Sequence, residues 1–315
     1  MTISAVIIGF GKVAGGSTDI SLPMTHSRSY KILRDKVKVV GIVDPDVKQR
    51  RVASDIWPEA RICSNINEIV STECVDLVSL CGPSAVNQSI LTDIDMINSL
   101  KGIWCEKPVA QSVPQLNKIL ALNILSHPIQ INLWRSFVPE IGSIVGQIKR
   151  GFYGKIYRVA AYYGGALSDN GIHIVHLAHA FLGKLQIKHI EKKYNPSTPL
   201  VLSENDSGVS CAFFPIPREK YNIFELDILC ELGRIRIVEN GRRIEIHDCE
   251  VDKSFPHLNI LVTKPKSLRV NWKSSFDNAL QNLISHILDK DVELICPLEC
   301  VVQATEFVLR CTNDK

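Results

Sequence analysis

Apolar runs alternate with helix-like segments through the first 125 residues of the chain. Runs rich in β-branched residues predict buried strands at 5–8, 38–43, 75–81 and 103–105. Segments with helical patterning lie at 47–54, 66–70, 84–99 and 113–121. Strands that alternate with helices indicate βαβ units. We therefore predict a domain over residues 1–125 built on a doubly wound parallel sheet.

The pattern changes after residue 128. Strand-like segments are predicted at 129–134, 155–163, 185–194, 207–215, 222–231, 233–238 and 242–248. Helices are predicted at 139–150, 170–182, 276–289 and 297–311. The pair Asn240-Gly241 is a strong hairpin signal, and a run of strands joined by such turns favours antiparallel pairing. We predict an α+β domain over residues 126–315 with a large, mainly antiparallel open sheet.

Composition narrows the class of protein. A chain of 315 residues can form two domains and bury a substantial core. The net charge of +3 is small and the basic residues are dispersed, which argues against a nucleic-acid partner. The ten cysteines contain no C-x-x-C pair and lie mostly in apolar strands, as is typical of free thiols in a reducing compartment. With no signal peptide or membrane span in the pattern, we expect a soluble, cytoplasmic protein with no membrane partner.

A glycine-rich turn follows the first predicted strand. The residues Gly9-Phe10-Gly11-Lys12-Val13-Ala14 match the G-x-G-x-x-G/A pattern of dinucleotide-binding proteins. In that pattern the first glycine permits a tight turn, the second lets the backbone approach a pyrophosphate, and the last small residue packs a helix on the strand. We expect the pyrophosphate to sit at the N-terminus of a helix that starts here.

Asp44 ends the second strand, where an acidic residue accepts hydrogen bonds from the adenosine ribose and repels a 2′-phosphate. This predicts NAD as the cofactor, with NADP the alternative because Lys48, Arg50 and Arg51 are close by. The spacing from the turn to Asp44 exceeds the about 20 residues of the usual fingerprint. The excess lies in residues 15–30, which we predict to be a loop reaching toward the substrate.

The tripeptide Glu106-Lys107-Pro108 directly follows a buried strand. The proline disfavours helical backbone at Lys107, and ligands bind at the carboxyl ends of strands in doubly wound sheets. Lys107 could therefore donate a hydrogen bond to a reacting oxygen, and we expect a cis bond before Pro108. A solvated loop lysine is the alternative.

A second group of chemically active side chains lies in the C-terminal half. Asp169, His173 and His176 fall at helical spacing on one predicted face, with Ser168 or Asp169 as the expected helix cap. An imidazole can accept a proton from a hydroxyl near neutral pH, and a carboxylate can orient it. A purely structural role and a metal site are the alternatives. We expect His179, further round the helix, to be a packing or surface residue.

Together these motifs resemble the Gfo/Idh/MocA oxidoreductases, which include glucose–fructose oxidoreductase and inositol dehydrogenase. Trp134-Arg135 and Pro139 also look like the segment at which that family crosses between its domains. The resemblance implies a Rossmann domain followed by the sheet domain, with Lys107, Asp169 and His173 as the catalytic residues. It implies cofactor binding by Gly9, Phe10, Gly11, Lys12, Val13, Asp44, Cys81, Gly82, Pro83, Asn87, Glu106 and Lys107. It implies substrate binding by Lys107, Arg135, His173 and His176, with no metal.

The same resemblance implies hydride transfer between NAD(P) and a secondary hydroxyl of a cyclitol, sugar or nucleotide-linked sugar. The large C-terminal sheet needs a cover and few helices can supply one, so we also expect a homo-oligomer, a dimer or tetramer, that buries one face of this sheet. Two residues depart from the family pattern: His176 replaces a common aspartate, and Asn87 replaces a common histidine. A non-catalytic NAD-binding regulator and a redox-assisted glycosidase that retains NAD are the alternative functions.

Overall fold

The computed structural model describes residues 2–16, 23–192, 195, 197–219 and 221–312. It divides into two compact units. The first comprises Met1–Phe137 and Lys273–Val301, and the second comprises Val138–Trp272 and Val302–Lys315. The first unit thus extends beyond the predicted boundary at residue 125 and includes a segment from near the end of the chain.

The strands and helices are named here in chain order. The strands are β1 Ile3–Ile8, β2 Val37–Val43, β3 Arg61–Cys63, β4 Leu77–Leu80, β5 Gly102–Cys105, β6 Ile129–Ile131, β7 Ile156–Gly164, β8 Leu185–Glu191, β9 Leu200–Asn205, β10 Ser210–Ile216, β11 Phe224–Cys230, β12 Gly233–Val238, β13 Arg243–Val251, β14 Asn259–Leu261 and β15 Lys266–Arg269. The helices are α1 His26–Ile32, α2 Val47–Ile56, α3 Asn67–Val70, α4 Asn87–Ile94, α5 Val113–Leu120, α6 Pro139–Lys149, α7 Ile172–Leu182, α8 Ser275–Leu288 and α9 Leu298–Thr312.

The first unit is built on a six-stranded sheet in the order β3-β2-β1-β4-β5-β6. All of its strand pairs are parallel. This is the strand order of a doubly wound dinucleotide-binding fold, so the predicted fold class is confirmed. The central strands β4 and β5 are buried at every position, which explains their unbroken apolar sequences.

Helix α8 explains why the first unit includes a late segment of the chain. It packs on α1 and β5, and Gly102 at the start of β5 leaves room for it. A Cβ atom at Gly102 would lie 3.0 Å from Ile287 and 3.2 Å from Leu283. Across the α1 contact, the guanidinium of Arg28 forms a 2.9 Å ion pair with Asp277. The helix therefore covers one face of the parallel sheet.

Three predictions for the first unit need correction. Residues 15–30 are not one loop: the Thr25 hydroxyl accepts the Arg28 N–H at 3.2 Å and caps α1, while residues 17–22 lie outside the described part of the chain. The strand predicted at 129–134 ends at Ile131, and a 3₁₀ turn follows at Trp134–Phe137. The helix predicted at 84–99 is a 3₁₀ turn followed by α4 alone.

The second unit carries a nine-stranded sheet in the order β14-β13-β12-β11-β7-β10-β9-β8, with β15 paired to β13. Only the pair β7 and β10 is parallel among its described pairs. The mainly antiparallel character is confirmed. The strand predicted at 185–194 ends at Glu191, and residues 193–194 lie outside the description.

One face of this sheet is apolar and the other is mixed. Every second residue of β11, namely Phe224, Leu226 and Ile228, is buried in a core to which α7 also contributes. Phe307 of α9 packs on Phe213 of β10, with ring centroids 5.5 Å apart. The helices of this unit therefore cover the inner face of the sheet. Within the described ranges, no helix combines the length and apolar character that a membrane span needs.

Candidate active site

The glycine turn after β1 is built on a close approach of two loops. Gly9 has a φ of +83°, and a Cβ atom there would lie 2.7 Å from the backbone nitrogen of Gly82. Both the left-handed backbone and this contact require glycine. Gly9 and Gly82 therefore bring the ends of β1 and β4 together at the edge of the sheet where ligands bind in this fold.

The space beside Gly11 is open. A Cβ atom at Gly11 would meet no protein atom within 4 Å, whereas one at Gly16 would lie 1.7 Å from the carbonyl oxygen of Phe10. The expected helix does not start here: Gly11 accepts N–H bonds from Gly15 and Gly16 in a single turn, and α1 begins only at His26. Gly16 closes this turn, while Gly11 leaves room for a ligand group such as a pyrophosphate.

Asp44 supports the glycine turn directly. Its side chain is 7% exposed and accepts the Phe10 N–H at 2.6 Å and the Asp46 N–H at 2.8 Å. Arg50 donates to the carbonyl oxygens of Asp44 and Pro45 at 2.9 and 2.8 Å. The carboxylate thus shapes the turn, and because each oxygen has two lone pairs, it retains acceptors for a ribose.

Lys107 stands two residues beyond the end of β5 and is half-buried. The Lys107–Pro108 bond is cis, as predicted. Asn87 is 2% exposed, and its side-chain nitrogen donates to the carbonyl oxygen of Val109 at 2.9 Å. The side-chain oxygen of Asn87 is buried without a protein donor among the described residues. Asn87 therefore holds the segment after Lys107 and presents a buried acceptor to any group that binds there.

Glu106 is held by two side chains that the sequence did not indicate. His26 Nε2 lies 3.0 Å and Asn132 Nδ2 lies 2.5 Å from the same Glu106 oxygen. Burial raises the pKa values of the Cys81 and Cys105 thiols, and the negative charge of Glu106 adds a smaller increase. Both thiols are therefore protonated at neutral pH, which is the less nucleophilic form of cysteine.

Arg135 and Pro83 complete the residues that the first unit contributes to the predicted site. Arg135 is 5% exposed, and its guanidinium lies 4.1 Å from the centroid of the Trp134 ring. Pro83 immediately precedes the 3₁₀ turn at Ser84–Val86. Lys12 and Val13 lie in the glycine turn, Lys12 being exposed. Ligand contacts of these residues stay predictions.

In the second unit, a five-residue π-turn at Leu167–Gly171 precedes α7. Gly171 occupies the cap position and no side chain caps the helix, so the prediction of Ser168 or Asp169 as cap is wrong. Asp169 is half-exposed and forms a 3.2 Å ion pair with Arg218. Asp169 lies in this wider π-turn, so it does not keep the α-helical spacing to His173 and His176 that the sequence predicted.

His173 and His176 lie one turn apart in α7 and are 4% and 7% exposed. Burial, with a smaller contribution from neighbouring His179, lowers the pKa of His176 to about 4. Burial also lowers the pKa of His179 to about 4. The edge of the His179 ring meets Phe307 at 5.8 Å between centroids, which agrees with a packing role. His176 and His179 are therefore neutral near pH 7.

These lowered pKa values predict a loss of stability in mild acid. The unfolded chain binds protons at these histidines below pH 6.5, whereas the folded chain does so only near their pKa of about 4. The free energy of unfolding should fall between pH 7 and pH 5 by about 2 kcal/mol for each histidine. Urea unfolding at both pH values measures this.

Two variants isolate the effect. His179→Asn should reduce the pH dependence, because it removes one of the two buried imidazoles. His189→Asn should not, because His189 lies on an exposed position of β8. An unchanged free energy of unfolding from pH 7 to pH 5 in the parent protein would show that these histidines are not buried as described.

Metal binding was an alternative for the residues around α7. No three His, Cys, Asp or Glu side chains in the described ranges are grouped so that they could hold a metal ion. All ten cysteines are free, and seven of them are buried.

Comparison with known proteins agrees with this geometry. Residues 3–125 match the family model described as oxidoreductase family, NAD-binding Rossmann fold. No curated protein matches the chain.

Solved structures share the fold over almost the whole chain. One is myo-inositol 2-dehydrogenase from Lactobacillus plantarum, 16% identical, with a TM-score of 0.72 over 99% of this chain and 96% of that one. Another is the WlbA dehydrogenase from Bordetella pertussis in complex with NADH and UDP-GlcNAcA, 14% identical, with a TM-score of 0.74 over 98% and 95%. A third is a 3-ketoreductase from Actinomadura kijaniata in complex with NADP, 13% identical, with a TM-score of 0.75 over 98% and 96%.

At these identities the likeness shows a shared fold, and the family match adds the cofactor class of the first unit. Over residues 3–125 the chain is therefore similar to the NAD-binding Rossmann fold of the Gfo/Idh/MocA oxidoreductases, whose family model matches this part of the chain.

Proposed function

We propose that this protein is an NAD-dependent dehydrogenase that oxidises a secondary hydroxyl of a cyclitol, sugar or nucleotide-linked sugar, or reduces the matching ketone. The observation that carries the proposal is the position of Lys107. It follows β5 on the same sheet whose strand β1 leads into the open glycine turn. Ligands bind at this edge in doubly wound folds, so a lysine at the end of β5 supports a donor role toward a ligand that the glycine turn would hold.

In the proposed reaction, a bound nicotinamide supplies the acceptor for the hydride. The substrate hydroxyl gives its proton to His173, and the substrate C–H bond gives its electron pair with the hydride, which leaves a C=O group. Lys107 donates a hydrogen bond to the same oxygen and stabilises the negative charge that develops on it. Asp169, with Arg218 beside it, is proposed to orient the imidazole from the exposed side.

The proposed substrate class rests on the family and on the neighbours of the same fold. Their names include an inositol dehydrogenase and an enzyme complexed with a nucleotide-linked sugar acid. The direct test is incubation of the protein with NAD⁺ and a panel of cyclitols, aldoses and nucleotide sugars, with NADH formation as the readout. We expect NADH formation with members of one of these classes. A protein that binds NAD and turns over no member of the panel is a regulator and not a dehydrogenase.

The proposed cofactor is NAD and not NADP. Asp44 brings a buried carboxylate to the end of β2, and Arg50 is engaged by two carbonyl oxygens close by. A 2′-phosphate beside that carboxylate meets like charge, so we expect NADH to bind at least about tenfold more tightly than NADPH, equivalent to about 1.4 kcal/mol. Fluorescence titration with both cofactors measures the ratio.

Asp44→Asn should reduce the ratio of NADH affinity to NADPH affinity, because it removes the negative charge and keeps an acceptor for the Phe10 N–H. Asp46→Asn is the matched control: Asp46 is exposed and caps α2 through the Lys48 N–H at 2.8 Å, which asparagine can also do. Tighter binding of NADPH by the parent protein would reject NAD as the cofactor.

We also propose a homo-oligomer that buries the outer face of the second unit's sheet. Leu202 and Leu229 point outward from β9 and β11 and are 41% and 42% exposed, around the stacked rings of Tyr162 and Phe214. An apolar patch on a sheet face is typical of an interface. Light scattering at micromolar concentration should give a dimer or tetramer.

Leu229→Glu should shift the mass toward the monomer, because a carboxylate on this face loses hydration on association. Met96→Glu is the control, since Met96 is 81% exposed and belongs to the first unit, not to this sheet. A monomeric mass for the parent protein at this concentration would contradict the assembly.

A further inference from the structure

His26 is a fully buried polar residue with no part in the proposed chemistry. It is 0% exposed at the start of α1. Its ring packs on the Trp104 ring at a tilt of 37° with centroids 3.7 Å apart, and it forms a T-shaped pair with the Phe276 ring at 5.7 Å between centroids. Buried polar groups are retained with hydrogen-bond partners, and the partners show what such a group holds in place.

The two ring nitrogens of His26 connect Glu106 with a second buried strand. Nε2 lies 3.0 Å from the Glu106 carboxylate, and Nδ1 lies 3.1 Å from the hydroxyl oxygen of Ser79 on β4. The Tyr30 hydroxyl lies 2.7 Å from the same Ser79 oxygen. Every member of this chain is satisfied when Tyr30 donates to Ser79, Ser79 donates to Nδ1, and Nε2–H donates to Glu106.

His26 also contacts the nucleotide-binding turn through its backbone. Its N–H donates to the carbonyl oxygen of Val13 at 3.0 Å, and the N–H of Ser27 donates to the carbonyl oxygen of Ala14 at 2.9 Å. One residue therefore touches the glycine turn through its backbone and the neighbour of Lys107 through its side chain. Asn132, which directly follows β6, donates a hydrogen bond of 2.5 Å to the same Glu106 oxygen.

We propose that His26 is a positioning residue for Lys107, which it acts on through Glu106, and that it fixes this lysine relative to the glycine turn. The proposal rests on the proposed dehydrogenase function. With Glu106 held from two sides, the peptide unit that joins Glu106 to Lys107 has a fixed direction. A donor must be placed accurately to stabilise a developing charge, so the loss of this restraint should reduce the rate of the chemical step more than the binding of NAD.

Two substitutions of His26 separate its two nitrogens. The side-chain nitrogen of His26→Gln is as many bonds from Cβ as Nε2, so it can donate to Glu106. The side-chain nitrogen of His26→Asn matches Nδ1 and cannot reach Glu106. Both variants lose the ring contact with Trp104, so their free energies of unfolding should fall by similar amounts. Tyr30→Phe is the control, because it removes the far end of the hydrogen-bond chain and leaves the contact between His26 and Glu106.

We expect kcat to fall about 10- to 100-fold in His26→Asn, the loss expected when a catalytic group is displaced by about 1 Å. In His26→Gln and Tyr30→Phe, kcat should stay within about threefold of the parent value, and NAD should bind all four proteins similarly. Equal kcat values in His26→Asn and His26→Gln, whether both near the parent or both low, would overturn the positioning role.

A second measurement needs no substrate and separates this proposal from the proposed function. The rate at which an amine-reactive reagent modifies Lys107 is followed by mass spectrometry, with Lys101 as internal reference because it lies at the opposite end of β5. His26→Asn should change the Lys107 rate severalfold relative to Lys101, and His26→Gln and Tyr30→Phe should not. Equal rates in all four proteins would overturn the positioning role. If His26→Asn alone changes the Lys107 rate and the parent protein shows no turnover, the positioning role stands and only the dehydrogenase function is rejected.

Discussion

Lys107→Met should lower turnover by about two to three orders of magnitude, the loss typical of one donor to a developing oxyanion. Methionine approximates the length of the lysine side chain and cannot donate a hydrogen bond. NAD binding should survive, because the glycine turn is shaped by Gly9, Gly16 and Asp44 and does not depend on Lys107. Steady-state kinetics on the substrate found by the panel, together with NAD titration, measure both effects.

Lys101→Met is the matched control for this variant. Lys101 lies immediately before β5, whereas Lys107 lies after it. At that opposite end of the strand Lys101 forms a 2.7 Å ion pair with Asp76. Its loss should leave kcat near the parent value, because Lys101 lies at the end of β5 opposite to Lys107. Near-normal turnover in Lys107→Met would show that this lysine does not touch the reacting oxygen.

His173→Asn should lower turnover by about 10²- to 10⁴-fold, because it removes the proposed general base while keeping a polar side chain in a buried position. The acid limb of the pH–rate profile should disappear with it, since that limb reports protonation of the base. The readout is kcat as a function of pH. A profile that keeps its acid limb, even at reduced rate, would place the base elsewhere.

His179→Asn is the control on the same helix. His179 packs against Phe307 of α9, so its replacement should reduce stability and leave the acid limb in place. Comparison of the two asparagine variants therefore separates a catalytic imidazole from a buried structural one.

Much of the first unit could be predicted from the sequence, because its strands are continuous apolar runs and its glycine turn has a local signature. Helix α1 could not, since its seven residues carry no apolar period and the Thr25 cap stands alone. Strand β3 has three residues, too few for a pattern. The place of α8 in the first unit is set by contacts with α1 and β5 far away in the sequence. Long-range packing of this kind leaves no local signal.

The candidate site shows the same division. The identity of Lys107, Asp44 and His173 follows from motifs and their order. The contact between His26 and Glu106 joins residues 80 positions apart, and Asp169 pairs with Arg218 from the turn after β10, so neither contact could be found by spacing.

The two departures from the family pattern become clearer in three dimensions. Asn87 holds the backbone at Val109, directly beyond the cis bond, through a hydrogen bond of 2.9 Å. His176 is buried and its pKa of about 4 keeps it neutral, where an aspartate would place a negative charge. We therefore expect position 176 to contribute no negative charge to the surroundings of His173.

Lys107 and His173 are proposed to act on one substrate oxygen, and a double-mutant cycle tests this most directly. The kcat values of the parent, Lys107→Met, His173→Asn and the double variant are measured on the same substrate. Two groups that act on a single oxygen are non-additive, so the double variant should lose far less than the product of the two single losses. A double variant whose loss equals that product would contradict a shared oxygen.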